Sequence, residues 1–377
     1  YRTLSNYFQE GETIVDEKRF RMRWVLPALL ALLLLCGTKA TARDESGRLL
    51  VPEGDEWQSL TSVEDLCERY PDRVSMLLDR LDLQKPGLQK VAKARQRGDG
   101  PEACRALIRY YQDRDVQSWL RPDEAAKVDE EARERAENVL RNRLTIHGNP
   151  STVYTTHGAW NWNHRGPRDY REWAFSLNRH GYFDLLSRAY RATGEERYAA
   201  KFDRLIRDWV LHVPCPGKEH AYTYTWRVLE AGLRMRSWVP AFYAFQDSNA
   251  FTPAGRILML SSLVEHGDYT RRHHWEHHNH ALMELDGLNL LALGFPELDK
   301  SQRWHDYAMR KIIGEMDHQV LPDGAHDELS SGYHWVSLQS FEGVAETCRR
   351  AGVDVPEDYR QGLVEMYDYW TWLIRPD

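Results

Sequence analysis

The 377-residue sequence predicts an all-α fold, an array of antiparallel helices of ordinary length joined by short loops. Three observations carry this expectation. Apolar residues recur at three- and four-residue spacing through successive segments. Proline and acidic residues open those segments, and glycine closes them. No alternating strand pattern of any length appears, and no strict repeat unit points to a regular solenoid.

The length suits one large domain or two ordinary ones. A hydrophobic content of 42%, with 14 Trp and 19 Tyr, supports a large core and excludes a disordered chain. The net charge of −7 removes any global basic signal for a nucleic-acid partner. The aromatic excess suits stacking on sugar rings, although core packing explains it equally by composition alone.

Residues 22–42 have a short basic start, an apolar run from Val25 to Leu35, and then Ala40-Thr41-Ala42. That is the pattern of a secretory signal cleaved near Ala42. The apolar run is too short for a stable membrane span. Met22 is then the expected start, and residues 1–21 read as an upstream translation artefact. A lipoprotein reading of Cys36 is disfavoured by Leu35, where a small residue belongs. The mature chain is expected to begin near Arg43 and to be secreted or periplasmic. Of the remaining cysteines, Cys67, Cys104, Cys215 and Cys348 form no C-x-x-C and so offer no cysteine zinc site. Disulfides and free buried thiols both stay open.

Taken in order, residues 43–60 read as a linker, and helical signals dominate from Thr61. Pro101 and Pro122 open helices, and the charge-dense run 123–137 reads as a solvated helix face. Residues 148–171 break the rhythm with Gly, Pro, Asn and Trp. There Trp160, Trp162, His157 and His164 either line a sugar cleft or, for the tryptophans, plug the end of a helical array. Thr193-Gly194 ends the next helix. Phe202, Leu205, Ile206, Trp209 and Val210 form one buried stripe. A helix over 226–245 places Arg227, Glu230 and Arg234 on one side. Thr252-Pro253 caps a helix running to about Glu265. Further helices are expected over 278–294, 301–319, 334–351 and 357–373, with Leu338, Phe341, Ala345 and Cys348 buried.

Two stretches carry candidate chemistry. Arg271–Gly287 packs five histidines, two arginines and Asn279 into its first ten residues, and Asp323–His334 sets Tyr333 among small and acidic residues. His274 with His278, or His277 with His280, could share a helix face and hold a metal, but there is no H-E-x-x-H and a third ligand is needed. Crowded histidines and arginines suit an anionic ligand as well. An acid–base reading removes the weakly acidic proton beside a uronic-acid carboxylate. Amide and imidazolium donors neutralise the carboxylate without a metal, and a tyrosine serves both proton steps if neighbouring positive charge lowers its pKa. Asn279, His280 and Tyr333 fit these roles. Singly, each would be a cap, a carbonyl partner or a packing residue.

The stretches AENVLRNRLTIHG, YREWAFSLNRHGYFDLLSRAYRATGEERYAAKFDRLIRDWV, TWRVLEAGLRMRSW, HNHALMELDGL and DGAHDELSSGYHW resemble the heparinase II/III family of polysaccharide lyases, nearest its heparinase III branch. The resemblance runs from about Cys104 to the end. It implies that 61–377 is an incomplete (α/α) toroid, and that a C-terminal β-sandwich bearing a further catalytic histidine is missing from this sequence. It implies β-elimination of an acidic polysaccharide, heparin or heparan sulfate first, alginate or another uronan otherwise. Asn279 would neutralise the carboxylate, with His280 assisting. Tyr333 would be general acid and base, and Glu328 would hold its loop. Trp226, Arg227, Glu230 and Arg234 would line or support the cleft. His278, Trp160 and one of His157 or His164 would contact substrate. The reaction calls for no cofactor, and a structural metal stays open. A glycoside hydrolase, which would need two opposed carboxylates from among Asp323, Asp327 and Glu328, and a non-catalytic glycan-binding module are the alternatives.

Overall fold

A computed structural model of the chain describes residues 54–121 and 130–373. The expected signal segment, residues 1–21, the helix start at Pro122 and the last four residues lie outside the described residues. The described residues form fourteen α-helices and four short strands. In order these are α1 (Val63–Arg69), α2 (Pro71–Asp79), α3 (Gln89–Gln96), α4 (Gly100–Gln112) and α5 (Glu130–Leu140). Strands β1 (Arg143–Ile146), β2 (Asn149–Thr152), β3 (Thr155–Thr156) and β4 (Ala159–Trp160) follow. Then come α6 (Arg171–Leu177), α7 (Tyr182–Thr193), α8 (Glu196–His212), α9 (Val228–Ala244) and α10 (Pro253–His273). The chain continues through α11 (Asn279–Gly294), α12 (Ser301–Gln319), α13 (Ser331–Arg350) and α14 (Glu357–Leu373).

The helix ends follow local chemistry. The Thr252 hydroxyl accepts from the Gly255 N–H at 3.0 Å, with Pro253 in the first turn of α10. Gly194 closes α7 in the left-handed region, at φ 70°. In α5 the charges of Glu131, Arg133, Glu134 and Arg135 are exposed while Ala132, Ala136 and Val139 are buried. The stripe Phe202, Leu205, Ile206, Trp209 and Val210 on α8 is buried, as are Leu338, Phe341 and Cys348 on α13, while Ala345, expected with them, is only partly buried.

The packing alternates between two layers. Helices α5, α7, α9, α11 and α13 touch in succession, and α8, α10, α12 and α14 touch in succession beside them. This is the helical toroid arrangement expected from the sequence. Within the first layer, α9 and α11 run parallel. Gly232 of α9 faces Glu284 and Gly287 of α11, and Val239 faces Gly294 seven residues further along both. A Cβ on Gly232 would lie 2.5 Å from the Glu284 Cα, and one on Gly287 would fall into the Gly232 carbonyl. Both helices therefore start at the same end of the array, with their backbones in contact.

Four expectations are corrected. The linker does not persist through residue 60, because Trp57 and Leu60 are fully buried. The helix expected to stop near Glu265 runs on to His273; Gly267, which looks like a breaker, is kept inside it because the Trp304 ring packs against the site of its missing side chain. Residues 274–278 are not helical, so neither histidine pair shares a helix face. The broken rhythm at 148–171 belongs to two antiparallel hairpins, β1–β2 and β3–β4. Their two-residue turns are His147-Gly148, with φ 49° and 71°, and His157-Gly158, with φ 48° and 76°. Positive φ at both central residues is the condition for the hairpin turn that matches strand twist.

Gly287→Ala should force α9 and α11 apart and lower the unfolding free energy by about 1–3 kcal/mol. Gly314→Ala, at an exposed helical position with open space around it, should instead add about 0.4–1 kcal/mol. Urea unfolding of the two variants checks the contrast, and equal effects would mean that the two helices do not touch.

Candidate active site

The N-terminal ends of α9, α11 and α13 bring the two motif stretches together. α10 ends at His273, and five non-helical residues, with His277 at φ 56°, lead into α11. Buried groups clamp this segment. The Trp275 N–H donates to Glu284 Oε2 at 2.7 Å, and the His277 N–H donates to Glu315 Oε1 at 2.9 Å. Gln319 Nε2 donates to the His278 carbonyl at 3.2 Å. His278 is the N-cap, and its Nδ1 accepts from the His280 N–H at 3.1 Å. Asn279 is thereby fixed as the first residue of α11, buried at 4% exposure.

Gln319 also reaches the second stretch. Its Oε1 lies 3.1 Å from His326 Nε2, and its backbone carbonyl accepts from the Asp327 N–H. His326 Nδ1 accepts from the Glu328 N–H at 3.2 Å. Glu328 Oε1 then accepts from Asn279 Nδ2 at 2.7 Å. This bond sets the direction of the amide, because its oxygen in that place would oppose a carboxylate. The Asn279 oxygen is buried and makes no hydrogen bond. Leu329 takes φ 48°, and Ser330 caps α13. His334 is buried, with Nε2 3.1 Å from the Met366 carbonyl. Tyr333, the residue before it, is half exposed.

The third motif adds charge. Glu230 is fully buried and accepts two 2.6 Å bonds from Arg227. Arg179 donates to the same carboxylate at 3.1 and 3.2 Å. Two guanidinium groups thus share one carboxylate, and Arg179 also lies 4.0 Å from Glu172. The Arg227 guanidinium also lies 3.6 Å from the centre of the Phe175 ring. Burial pulls the His280 imidazole down to about 4, and His278, Arg227 and Arg179 press the same way. Arg234 is not a cleft residue. It is fully buried over Trp209, and it donates to the carbonyls of Asn178 and Thr225. It thus holds the backbone just before Arg179 and just before Trp226-Arg227.

The structure joins Asn279, His280, His278, Glu328, Arg227 and Glu230, with Tyr333 five residues beyond Glu328. It puts the hairpin residues elsewhere. His157 and Trp160 line a separate cavity of about 550 Å³ with Trp162, Thr223, Thr225 and Trp226, and it contains none of Asn279, His280 or Tyr333. The tryptophans chiefly plug the array. Trp160 and Trp162 are 5% and 4% exposed, and the Trp160 backbone N–H and the Trp162 ring both donate to Asp208 at the end of α8. The His157 carbonyl accepts from Trp57 and Gln58. His164 bonds Ser151 at 2.8 Å and lies edge-on to Trp173.

Sequence reasoning missed Arg179, Glu284, Glu315 and Gln319, which act through long-range bonds, and the exposed Trp275 beside His278. Burial pushes the Glu284 carboxyl up to about 8. Of the carboxylates a hydrolase would use, Glu328 is held on Asn279, Asp327 lies 3.3 Å from His326, and Asp323 accepts from the Ala325 N–H. Among the described residues no three His, Cys, Asp or Glu side chains converge as a metal-ligand set, and no helix is long and apolar enough to cross a membrane.

Comparison with known proteins identifies the family. A model of the heparinase II/III N-terminus matches residues 77–377. The chain belongs to the heparinase II/III family. A heparin-sulfate lyase of Pedobacter heparinus is 30% identical over 309 residues, covering 79% of this chain and 46% of that protein. A heparin-sulfate lyase of Bacteroides stercoris is 25% identical, covering 79% and 47%. The crystal structure of the heparan sulfate lyase from Pedobacter heparinus superposes with a TM-score of 0.66 at 27% identity, over 78% of this chain and 47% of that one. A crystal structure of heparinase III shares the fold with a TM-score of 0.71 at 23% identity. The chain spans about half the length of the curated relatives it matches.

The His280 imidazole should stay neutral to about pH 4, against 6.5 for an ordinary histidine. The unfolded chain takes up that proton first as pH falls. The stability His280 contributes is therefore full above about 6.5 and is lost between 6.5 and 4. NMR titration of the imidazole reads the first point. Unfolding of wild type against His280→Gln across that window reads the second, and an imidazole titrating near 6.5 would contradict both.

Proposed function

We propose that the chain is the helical part of a polysaccharide lyase that cleaves a uronic-acid glycan, heparan sulfate or heparin, by β-elimination. The observation that carries this reading is the 2.7 Å bond from Asn279 to Glu328. It brings a buried amide at the start of α11 to the segment that leads into Tyr333. The family membership and the lyases it resembles support the same chemistry.

The roles follow from the groups present. Abstracting the C5 proton of a uronic acid builds negative charge on its carboxylate. A neutral or cation-bonded carboxylate tolerates that charge better. Asn279 keeps one amide N–H on Glu328 and has a second to offer. The guanidinium groups of Arg227 and Arg179 supply positive potential. His280, held neutral by its surroundings, contributes as a hydrogen-bonding imidazole and not as a cation. Tyr333, acting as its phenolate, takes the C5 proton, and the hydroxyl so formed delivers that proton to the departing glycosidic oxygen. The bond from C4 to that oxygen breaks, and a C4–C5 double bond forms. His278, Glu230, Arg234 and Glu328 set the geometry. His157, Trp160 and His164 would touch only a glycan long enough to extend along the hairpins. Alginate or another uronan fits the same chemistry, and the choice among glycans rests on the resemblance to heparin-sulfate lyases. Secretion through the segment ending near Ala42 is part of this reading, since such glycans lie outside the cell.

Tyr333→Phe removes one hydroxyl from a half-exposed ring. It should lower kcat by about 10²–10⁴-fold with KM little changed. Asn279→Ala should cost a comparable factor in kcat/KM. Ultraviolet absorbance of unsaturated products from heparan sulfate, heparin, hyaluronan, chondroitin and alginate, digested by the protein as it occurs in full, is the measurement. Saturated reducing ends alone would replace elimination with hydrolysis. Undiminished turnover by Tyr333→Phe would remove that residue from the mechanism.

A further inference from the structure

Away from the site, α1 and α4 pack against each other, and both pack on α10. Each carries a cysteine on the shared face. Cys104 is fully buried, and Cys67 is partly buried. A Cβ placed on Gly100 would lie 3.8 Å from the Cys67 sulfur. Cys104 is one helical turn beyond Gly100 and so points to the same side of α4. A second contact fixes the register. Glu64, three residues before Cys67, pairs with Arg105, the residue after Cys104. Small residues at 100 and 104 let α1 approach α4 closely on the face that carries both cysteines.

We propose that Cys67 and Cys104 are a disulfide-forming pair, and that their oxidation staples α1 to α4. The two thiols are unequal in the way that stepwise exchange requires. The hydrogen bond from Cys104 holds the Cys67 thiol below its ordinary range, while that same bond and burial push Cys104 up. Cys67, the more accessible sulfur, attacks the oxidant as thiolate. With oxidised glutathione, a Cys67–glutathione disulfide forms and one glutathione thiolate leaves. Cys104 then gives its proton to the departing sulfur and attacks the Cys67 sulfur, and the second glutathione leaves. Two protein thiols lose two electrons and two protons, and one oxidised glutathione becomes two reduced ones. The bond would close a loop containing α2, which packs on α10, and α3, which packs on α4.

The native chain treated with oxidised glutathione, alkylated without reduction and digested should yield a Cys67–Cys104 cross-linked peptide two hydrogens lighter than its parts. Cys215 and Cys348 should stay free, and Tm should rise by roughly 5–10 °C. Cys67→Ser and Cys104→Ser should abolish the cross-link and the rise in Tm. Full alkylation of both thiols after oxidation, a Cys67 adduct that Cys104 never resolves, or a cross-link to a different cysteine would each overturn the proposal. The mass readout uses the wild-type chain, so it stands even if a serine variant folds poorly, and it is independent of the lyase reading.

Discussion

The backbone contact between α9 and α11 is the constraint on which the rest of the site depends. Two glycines, Gly232 and Gly287, let parallel helices meet without side chains between them. Packed interiors tolerate little change in volume, so this contact fixes how far one helix can slide along the other. Arg227 and Glu230 belong to the first turn of α9 or the residue before it, and Asn279 and His280 open α11. Their relative height is therefore a property of the helix pair and not of flexible loops. Catalytic groups need placement to a fraction of an ångström, and rigid elements provide it better than loops do.

Around that pair, buried polar groups each do two jobs. The Gln319 amide binds the His278 carbonyl with one end and faces His326 with the other. Glu230 gathers Arg227 and Arg179. Arg234 spans the carbonyls of Asn178 and Thr225. Burying such groups is costly unless they are fully bonded, and here the bonding reaches across segments far apart in sequence. A substitution at Gln319 or Arg234 would touch no substrate and still disturb the groups proposed to do so.

The sequence disclosed the local part of this design and concealed the long-range part. Helices were legible because their period, their prolines and their capping threonine or glycine lie within a few residues of one another. Strands of two to four residues are too short to show alternation, so the hairpins stayed hidden, although the two His-Gly turns were a readable sign of them. The helix expected to end near Glu265 runs on through Gly267, whose packing partner, the Trp304 ring, lies 37 residues away. At the site, Asn279, His280, Arg227, Glu230 and Tyr333 were visible as clustered residue types. Arg179, Glu315 and Gln319 were not, because nothing near them in the chain marks their partners. The toroid came from resemblance, not from periodicity, and the acid–base chemistry was read from the clustered residue types before resemblance gave it a family.

The parallel run of α9 and α11 has a further electrical consequence. Each helix points its free N–H groups, and the positive end of its peptide dipoles, toward the same mouth. Each such end acts as roughly half a unit charge. Unlike imidazoles, these dipoles do not titrate. An extended polyanion approaching this end would meet an attraction that persists when every histidine is neutral.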